Sequence, residues 1–229
     1  MDAIAIRPTA IRGAATRDAL LDAAEALVAS HGFSAPSHRM IAGQAGTHVA
    51  LVNYHFGSKE MLFEAALERR AARLNDRWRR CLADLRNQGS WTVADVLRAW
   101  WRPFMEFDVT IDTQWSNYLC TFSRLAGASH GETWYDRYFG TADRDFQLAF
   151  AQALPTASTE DLQAGFRYAR SIFAEIMLYR CGKTGGDCRP RGYRDDDIER
   201  ALRFAEAGMR GIESITPRAT ARTAMTSGA

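Results

Sequence analysis

The residues of this chain best suited to chemistry lie close together between Ile41 and Lys59, in the segment IAGQAGTHVALVNYHFGSK. A helix-turn-helix needs a small residue where two short helices cross. It also needs a glycine able to take φ > 0 at the turn four residues later, and an apolar anchor six residues beyond. Ala42, Gly46 and Val52 meet all three conditions. The second helix then begins near His48 and projects its N-terminal residues toward a major groove, whose width admits one helix. The chemistry on offer is hydrogen bonding to base edges and phosphates, not bond breaking.

Sites of other kinds are missing. The chain has no G-x-G-x-x-G, G-x-x-x-x-G-K-[ST], G-x-S-x-G or H-E-x-x-H, so no catalytic residue is assigned and no enzyme is expected. The run GKTGG at 182–186 follows a helix rather than a strand and is no phosphate loop. Cys81, Cys120, Cys181 and Cys188 lack C-x-x-C spacing and read as reduced thiols. No metal or cofactor is expected. The net charge is +2, from 29 basic and 27 acidic residues, so bulk charge announces no nucleic acid. No run of apolar residues is long enough to span a bilayer, and the N-terminus lacks a signal-peptide core. No membrane partner is expected, and the reading is a cytoplasmic protein.

Apolar residues recur at spacings of three and four, which predicts an all-α fold. The first helix starts near Thr16, buries Leu20, Leu21, Ala24, Leu27 and Val28, and stops at Gly32. Short helices follow over about 37–44 and 48–54. A long helix capped by Ser58 then runs to about Gly89. Further helices are expected over about 92–107, kinked or ended by Pro103, and over 113–126, 133–154, 159–181 and 195–214. The first fourteen residues, and those from Thr216 on, read as loose tails.

The first helix ending in HGF, then R-M-I-A-x-x-A-G, then V-N-Y-H-F-G-S-K-E together resemble the TetR/AcrR family of bacterial transcriptional repressors. VNYHFGSKE further resembles its fatty-acid-responsive, PsrA-like branch. The resemblance implies an N-terminal three-helix DNA-binding domain over residues 1–57. A helical effector-binding and dimerisation domain would follow over 58–215, with a tail over 216–229. It also implies a homodimer on palindromic double-stranded operator DNA, released by a hydrophobic small molecule. Carried onto this sequence, it exposes His48, Val49, Leu51, Asn53 and Tyr54 on the recognition helix. Asn53 can pair with adenine, and Val49 and Leu51 can meet thymine methyls. Tyr54, His55 and Lys59 clamp phosphate, while Ser37 and Arg39 hold the other strand. His55 reads equally as a residue packed beneath the helix. Thr47, counted with the DNA-contacting residues, stands at the turn, where the family usually has Val.

Residues 91–146 hold 13 of the 25 aromatics. Many must be core, yet the density suggests an apolar cavity, helped by the family's effector pocket. Its expected lining is Trp100, Trp101, Phe104, Phe107, Trp115, Tyr118, Phe122 and Tyr138, with Arg102 or Arg124 for an anionic headgroup. A fatty acid or acyl-CoA is the first choice of effector; a bulky xenobiotic sensed by an efflux regulator is the alternative. In the last two helices Leu162, Phe166, Phe173 and Ile176, and Leu202 and Met209, follow a 3.5-residue repeat. That repeat fits either packing within one subunit or a four-helix dimer interface, and the dimer is the expectation.

Overall fold

The computed structural model describes residues 8–106, 113–125, 128–180 and 195–212, and every regular element among them is an α-helix. α1 spans Pro8–His31, so helix begins within the fourteen residues expected to be a loose tail. Proline suits a first helical turn, whose N–H has no partner in any case, and the alanines after it favour helix.

α2 (His38–Gln44) and α3 (Val49–Phe56) form the expected crossing. Ala42 is buried there, and its carbonyl accepts from Thr47 N at 2.9 Å. Gly46 holds φ +63° at the turn, a conformation that favours glycine. Ile41, Val52 and Phe56 are buried and join the core that α1 and α4 share.

α4 (Lys59–Asn87) opens at Ser58, whose hydroxyl accepts from Met61 N at 3.2 Å. It packs against α1 and α3 near its start, and against α5 (Val93–Met105), α6 (Thr113–Ser123) and α7 (Gly131–Ala153) along the rest. α5 runs through the buried Pro103 for two residues rather than ending there. Trp78 on α4 is the hub of the core. Its ring lies 5.6–6.2 Å from Trp100, Phe104, Phe122, Phe139 and Phe146, and its Nε1 donates to Trp100 O at 2.8 Å.

α8 (Thr159–Arg180) and α9 (Asp195–Ile212) pack on each other, α8 also on α6 and α7, and α9 on α5. Leu162, Phe166, Phe173, Ile176, Leu202 and Met209 are all buried inside the single chain. Phe173 alone meets Trp100, Trp101 and Phe104 with ring centroids at 4.6–5.1 Å. Within the chain these seam residues pack between α8 and α9 themselves and against α5, α6 and α7. Cys120 is disulfide-bonded, which corrects the expectation of four reduced thiols; Cys81 is free and buried. No described helix is long and apolar enough to cross a membrane.

Candidate nucleic-acid interface and effector cavity

α3 buries Val52 and Phe56 and turns its other faces outward. Tyr54 is 80% exposed and Val49 40%; Asn53 and His48 are exposed, and Leu51 is half-buried. His48 is the N-cap of α3, and its side chain makes no capping bond. Its imidazole is therefore not spent on the helix end. The half-buried His55 sits edge-on to Tyr54 at 5.1 Å and tilted on Phe56 at 6.2 Å, at the margin between face and core.

Ser37 caps α2 by accepting from Met40 N at 3.2 Å, and Arg39 on the next turn is exposed. Thr47 is half-buried in the turn. Lys59, the first residue of α4, donates to Ser34 O at 3.4 Å and sits 5.9 Å above the Phe63 ring. From Ser37 to Lys59 there is no Asp or Glu, while Arg39 and Lys59 are cations. Locally, then, this face suits phosphate although the chain as a whole is nearly neutral. Two acids of α1, Asp22 and Glu25, are paired with α4. Glu25 is 1% exposed and accepts from Arg69 at 2.7 Å and Arg70 at 3.2 Å. Burial pushes its carboxyl above the usual range against the pull of both guanidiniums.

That cluster joins the helix-turn-helix to the rest of the chain. Arg69 also donates to Asp22 at 2.7 Å, and Gln114 of α6 bridges Asp22 and Arg70. Thr121 donates to Glu25 O, and Arg124 Nε to Ala29 O at 3.1 Å. Arg124, expected at a headgroup, is thereby placed on the last turn of α1, whose open carbonyls favour a cation.

Among the described residues, a space of about 590 Å³ lies between α5, α6, α7 and α8 and is walled by Trp100, Phe122, Leu125 and Phe173. Its polar side includes Tyr135, Gln147, Arg167 and Arg170, with Glu132 and Asp136. Arg170 stacks 4.4 Å over Tyr135 and donates to Asp143 at 2.5 Å. Asp143 also accepts from the Tyr135 hydroxyl at 2.9 Å and from Gln147 at 2.5 Å. Burial drives the Tyr135 hydroxyl far above the usual phenol range, so it stays protonated and donating. Arg167 has no carboxylate within ion-pair distance among the described residues.

Of the expected lining, Trp100 and Phe122 reach this cavity. Trp101 and Arg102 line a second cleft instead, of about 510 Å³, between α4, α5 and α9. Phe104, Trp115 and Tyr118 are fully buried filler: Trp115 stacks on Tyr118 at 5.2 Å, and the Tyr118 hydroxyl donates to Leu67 O. Tyr138 faces α4, donating to Glu64 at 3.0 Å. Phe107 lies outside the described residues. Arg167 and Arg170 escaped the sequence reading. Their signal was a second face of α8, Gln163, Arg167, Arg170, Ser171 and Ala174, flanking the apolar repeat.

These features define a helical helix-turn-helix protein with a separate cavity-bearing helical layer. The model for bacterial regulatory proteins of the tetR family matches residues 20–66, and the tetracyclin repressor-like C-terminal domain matches 98–208. The chain belongs to the TetR family of transcriptional regulators. No curated protein gives a significant match. Among solved structures, a candidate transcriptional regulator from Pseudomonas aeruginosa PAO1 aligns at 20% identity and TM-score 0.50, covering 91% of this chain and 93% of that one. A TetR family regulator from Marinobacter aquaeolei VT8 aligns at 18% identity and TM-score 0.48, covering 86% and 97%.

Proposed function

We propose that this protein is a cytoplasmic, homodimeric repressor that binds a palindromic operator through α3 and is released by a hydrophobic small molecule. The observation that carries the DNA-binding half is the outward face of α3 within a segment, 37–59, that contains no Asp or Glu. Asn53 reads adenine, Val49 and Leu51 meet thymine methyls, and Tyr54, His55, Lys59, Ser37 and Arg39 hold the backbones.

The effector site is the α5–α8 cavity. Its apolar wall suits an acyl chain, and Arg167 takes the carboxylate role first given to Arg102 and Arg124, since both of those are engaged elsewhere. A cationic aromatic xenobiotic is the second reading, favoured by Glu132 and Asp136 on the same lining. The cavity wall at Phe122 and Leu125 belongs to the α6 segment that grips α1 through Thr121 and Arg124. A ligand that displaces this segment shifts α1 and with it the recognition helix. The coupling expected of such a device is about 1–3 kcal/mol.

The dimer face is the outer side of α9. Phe204, 71% exposed, shares it with Ala207, Gly208 and Gly211 at helical spacing, which permits close approach of a second copy. Selection of bound sequences from a random DNA pool tests the assignment. A palindrome with half-sites about one helical turn apart is expected, and Phe204→Glu should abolish its enrichment. Absence of any palindrome from the wild-type selection would falsify the repressor reading.

A further inference from the structure

The α5–α8 cavity carries charge of both signs at its mouth. Glu132 and Asp136 stand one turn apart on α7 and Arg167 stands on α8; all three line the cavity and are exposed. Among the described residues none of the three is held in an ion pair, with each other or with another group. We propose that the effector is an amphiphile with one apolar chain and a zwitterionic head, its anionic group on Arg167 and its cationic group between Glu132 and Asp136. The proposal rests on the reading of this cavity as the effector site and names the chemical class that the site takes.

The rest of the polar lining is committed within the protein. Arg170 and Gln147 each donate to Asp143 at 2.5 Å, and the Tyr135 hydroxyl does so at 2.9 Å. The Ser171 hydroxyl donates to Arg167 O at 3.1 Å, a backbone bond that leaves the guanidinium untouched. That guanidinium lies 5.7 Å from the exposed Tyr168 ring, and its N–H groups can still take a carboxylate in a paired fork. Inside the mouth, Trp100, Phe122 and Phe173 form a wall that suits an apolar chain.

A head with a single charge meets a penalty at this mouth. A carboxylate seated on Arg167 faces Glu132 and Asp136, and a cation seated on those acids faces Arg167. A head of both signs gives each group its opposite. Glu132 and Asp136 also repel each other as an i,i+4 pair on α7, and a cation between them relieves that repulsion. Because all three side chains are exposed, water screens each contact. The apolar wall therefore supplies most of the affinity, and the charges choose among ligands of equal chain length.

Titration calorimetry on the full-length protein without DNA compares three probes of one chain length, each below its micelle-forming concentration: the zwitterion N-dodecyl-N,N-dimethylglycine, dodecanoate and dodecyltrimethylammonium. The zwitterion should bind tightest, by about three- to fivefold over either of the others. Arg167→Gln should cancel its lead over dodecyltrimethylammonium, and Glu132→Gln combined with Asp136→Asn should cancel its lead over dodecanoate. These positions are exposed, so helical circular dichroism should stay unchanged in both variants. Dodecanoate or dodecyltrimethylammonium binding wild type as tightly as the zwitterion, or a lead that survives both variants, overturns the zwitterion assignment and leaves the cavity as the effector site. Ala174→Phe narrows the cavity from α8 without altering its charges, and should weaken all three probes alike. Three affinities unchanged by folded Ala174→Phe, or no binding of any probe to wild type, would overturn the cavity reading itself and the zwitterion assignment with it.

Discussion

The α2–α3 segment and the α5–α8 layer use their side chains in opposite ways. On α3, Val49, Asn53 and Tyr54 are held by the helix but touch little else, and only Val52 and Phe56 fasten the segment to the core. In the layer, nearly every aromatic is engaged: Trp100 alone lies within 6.4 Å of Trp78, Phe104, Phe122, Phe166 and Phe173. A surface meant for a partner outside the chain keeps its functional groups off the fold. A surface meant to enclose a small molecule must use the same residues for stability and for binding. Substitutions should therefore separate the two properties in the first region and confound them in the second.

The largest effect is expected at Trp78→Ala. It empties the centre of the aromatic layer and leaves the Trp100 carbonyl without its indole donor. Loss of about 3–5 kcal/mol is expected from the cavity, read as a lower urea midpoint, with operator binding lost alongside the fold. A variant that unfolds no more easily than wild type would show that the layer does not support the structure.

Glu25→Gln tests the joint between the regions. It removes the charge that Arg69 and Arg70 share, leaving Asp22 as their remaining nearby carboxylate. Charge-assisted hydrogen bonds contribute about 1.5–3 kcal/mol each, so a loss near 2 kcal/mol is expected in the same denaturation experiment. The loss should be shared by both regions, with no separate early transition of the helix-turn-helix. An independent unfolding of α1–α3 in the variant would assign the coupling to this cluster; in the wild type it would contradict a single cooperative core.

The contrast also explains what the sequence could disclose. Ala42, Gly46, Val52 and Ser58 act through their own turn or helix end, so their spacing alone located the helix-turn-helix and the start of α4. Whether Trp100, Phe104 or Trp115 lines a cavity or fills the core depends on helices distant in the chain, and nothing in the local pattern separates them. The Leu162–Ile176 and Leu202–Met209 repeat shows the same limit. The periodicity says that a face is buried and leaves open by what; within the chain, α5, α6 and α7 lie against these two helices. Glu25 gave no warning, since a buried acid on an amphipathic helix looks like an exposed one until Arg69 and Arg70 are brought beside it.

Asn53→Ala sharpens the comparison from the other side. Asn53 is exposed on α3, so stability should change by less than about 0.5 kcal/mol. Operator affinity should fall by about 1–3 kcal/mol, with relaxed preference at one base pair. Lys59→Ala should instead weaken all sites alike and reduce the slope of log affinity against log salt by about one. Fluorescence anisotropy with the selected operator and single-base variants distinguishes these. Equal losses on every sequence for Asn53→Ala would move that residue from base reading to backbone clamping.

The smallest expected effect lies at Asp95, where a local device sits inside the tertiary layer. Thr92 and Asp95 form a reciprocal cap at the start of α5: Thr92 N donates to the Asp95 carboxylate at 2.8 Å, and Asp95 N donates to Thr92 Oγ1 at 3.3 Å. Asp95→Ala should cost about 1 kcal/mol without altering the apolar core. The bonds from Thr92, backbone first and side chain second, hold the Asp95 carboxyl below its ordinary value. Because the folded state favours the ionised form, this contribution is present above the unfolded value of about 3.9 and is lost as pH falls through the lower folded value. The stability gap between wild type and Asp95→Ala, measured by urea denaturation, should be level from pH 5 to pH 8 and close below about pH 4. A gap that persists undiminished in acid would mean that Asp95 acts through packing in the layer, and that even this end of α5 obeys tertiary rather than local rules.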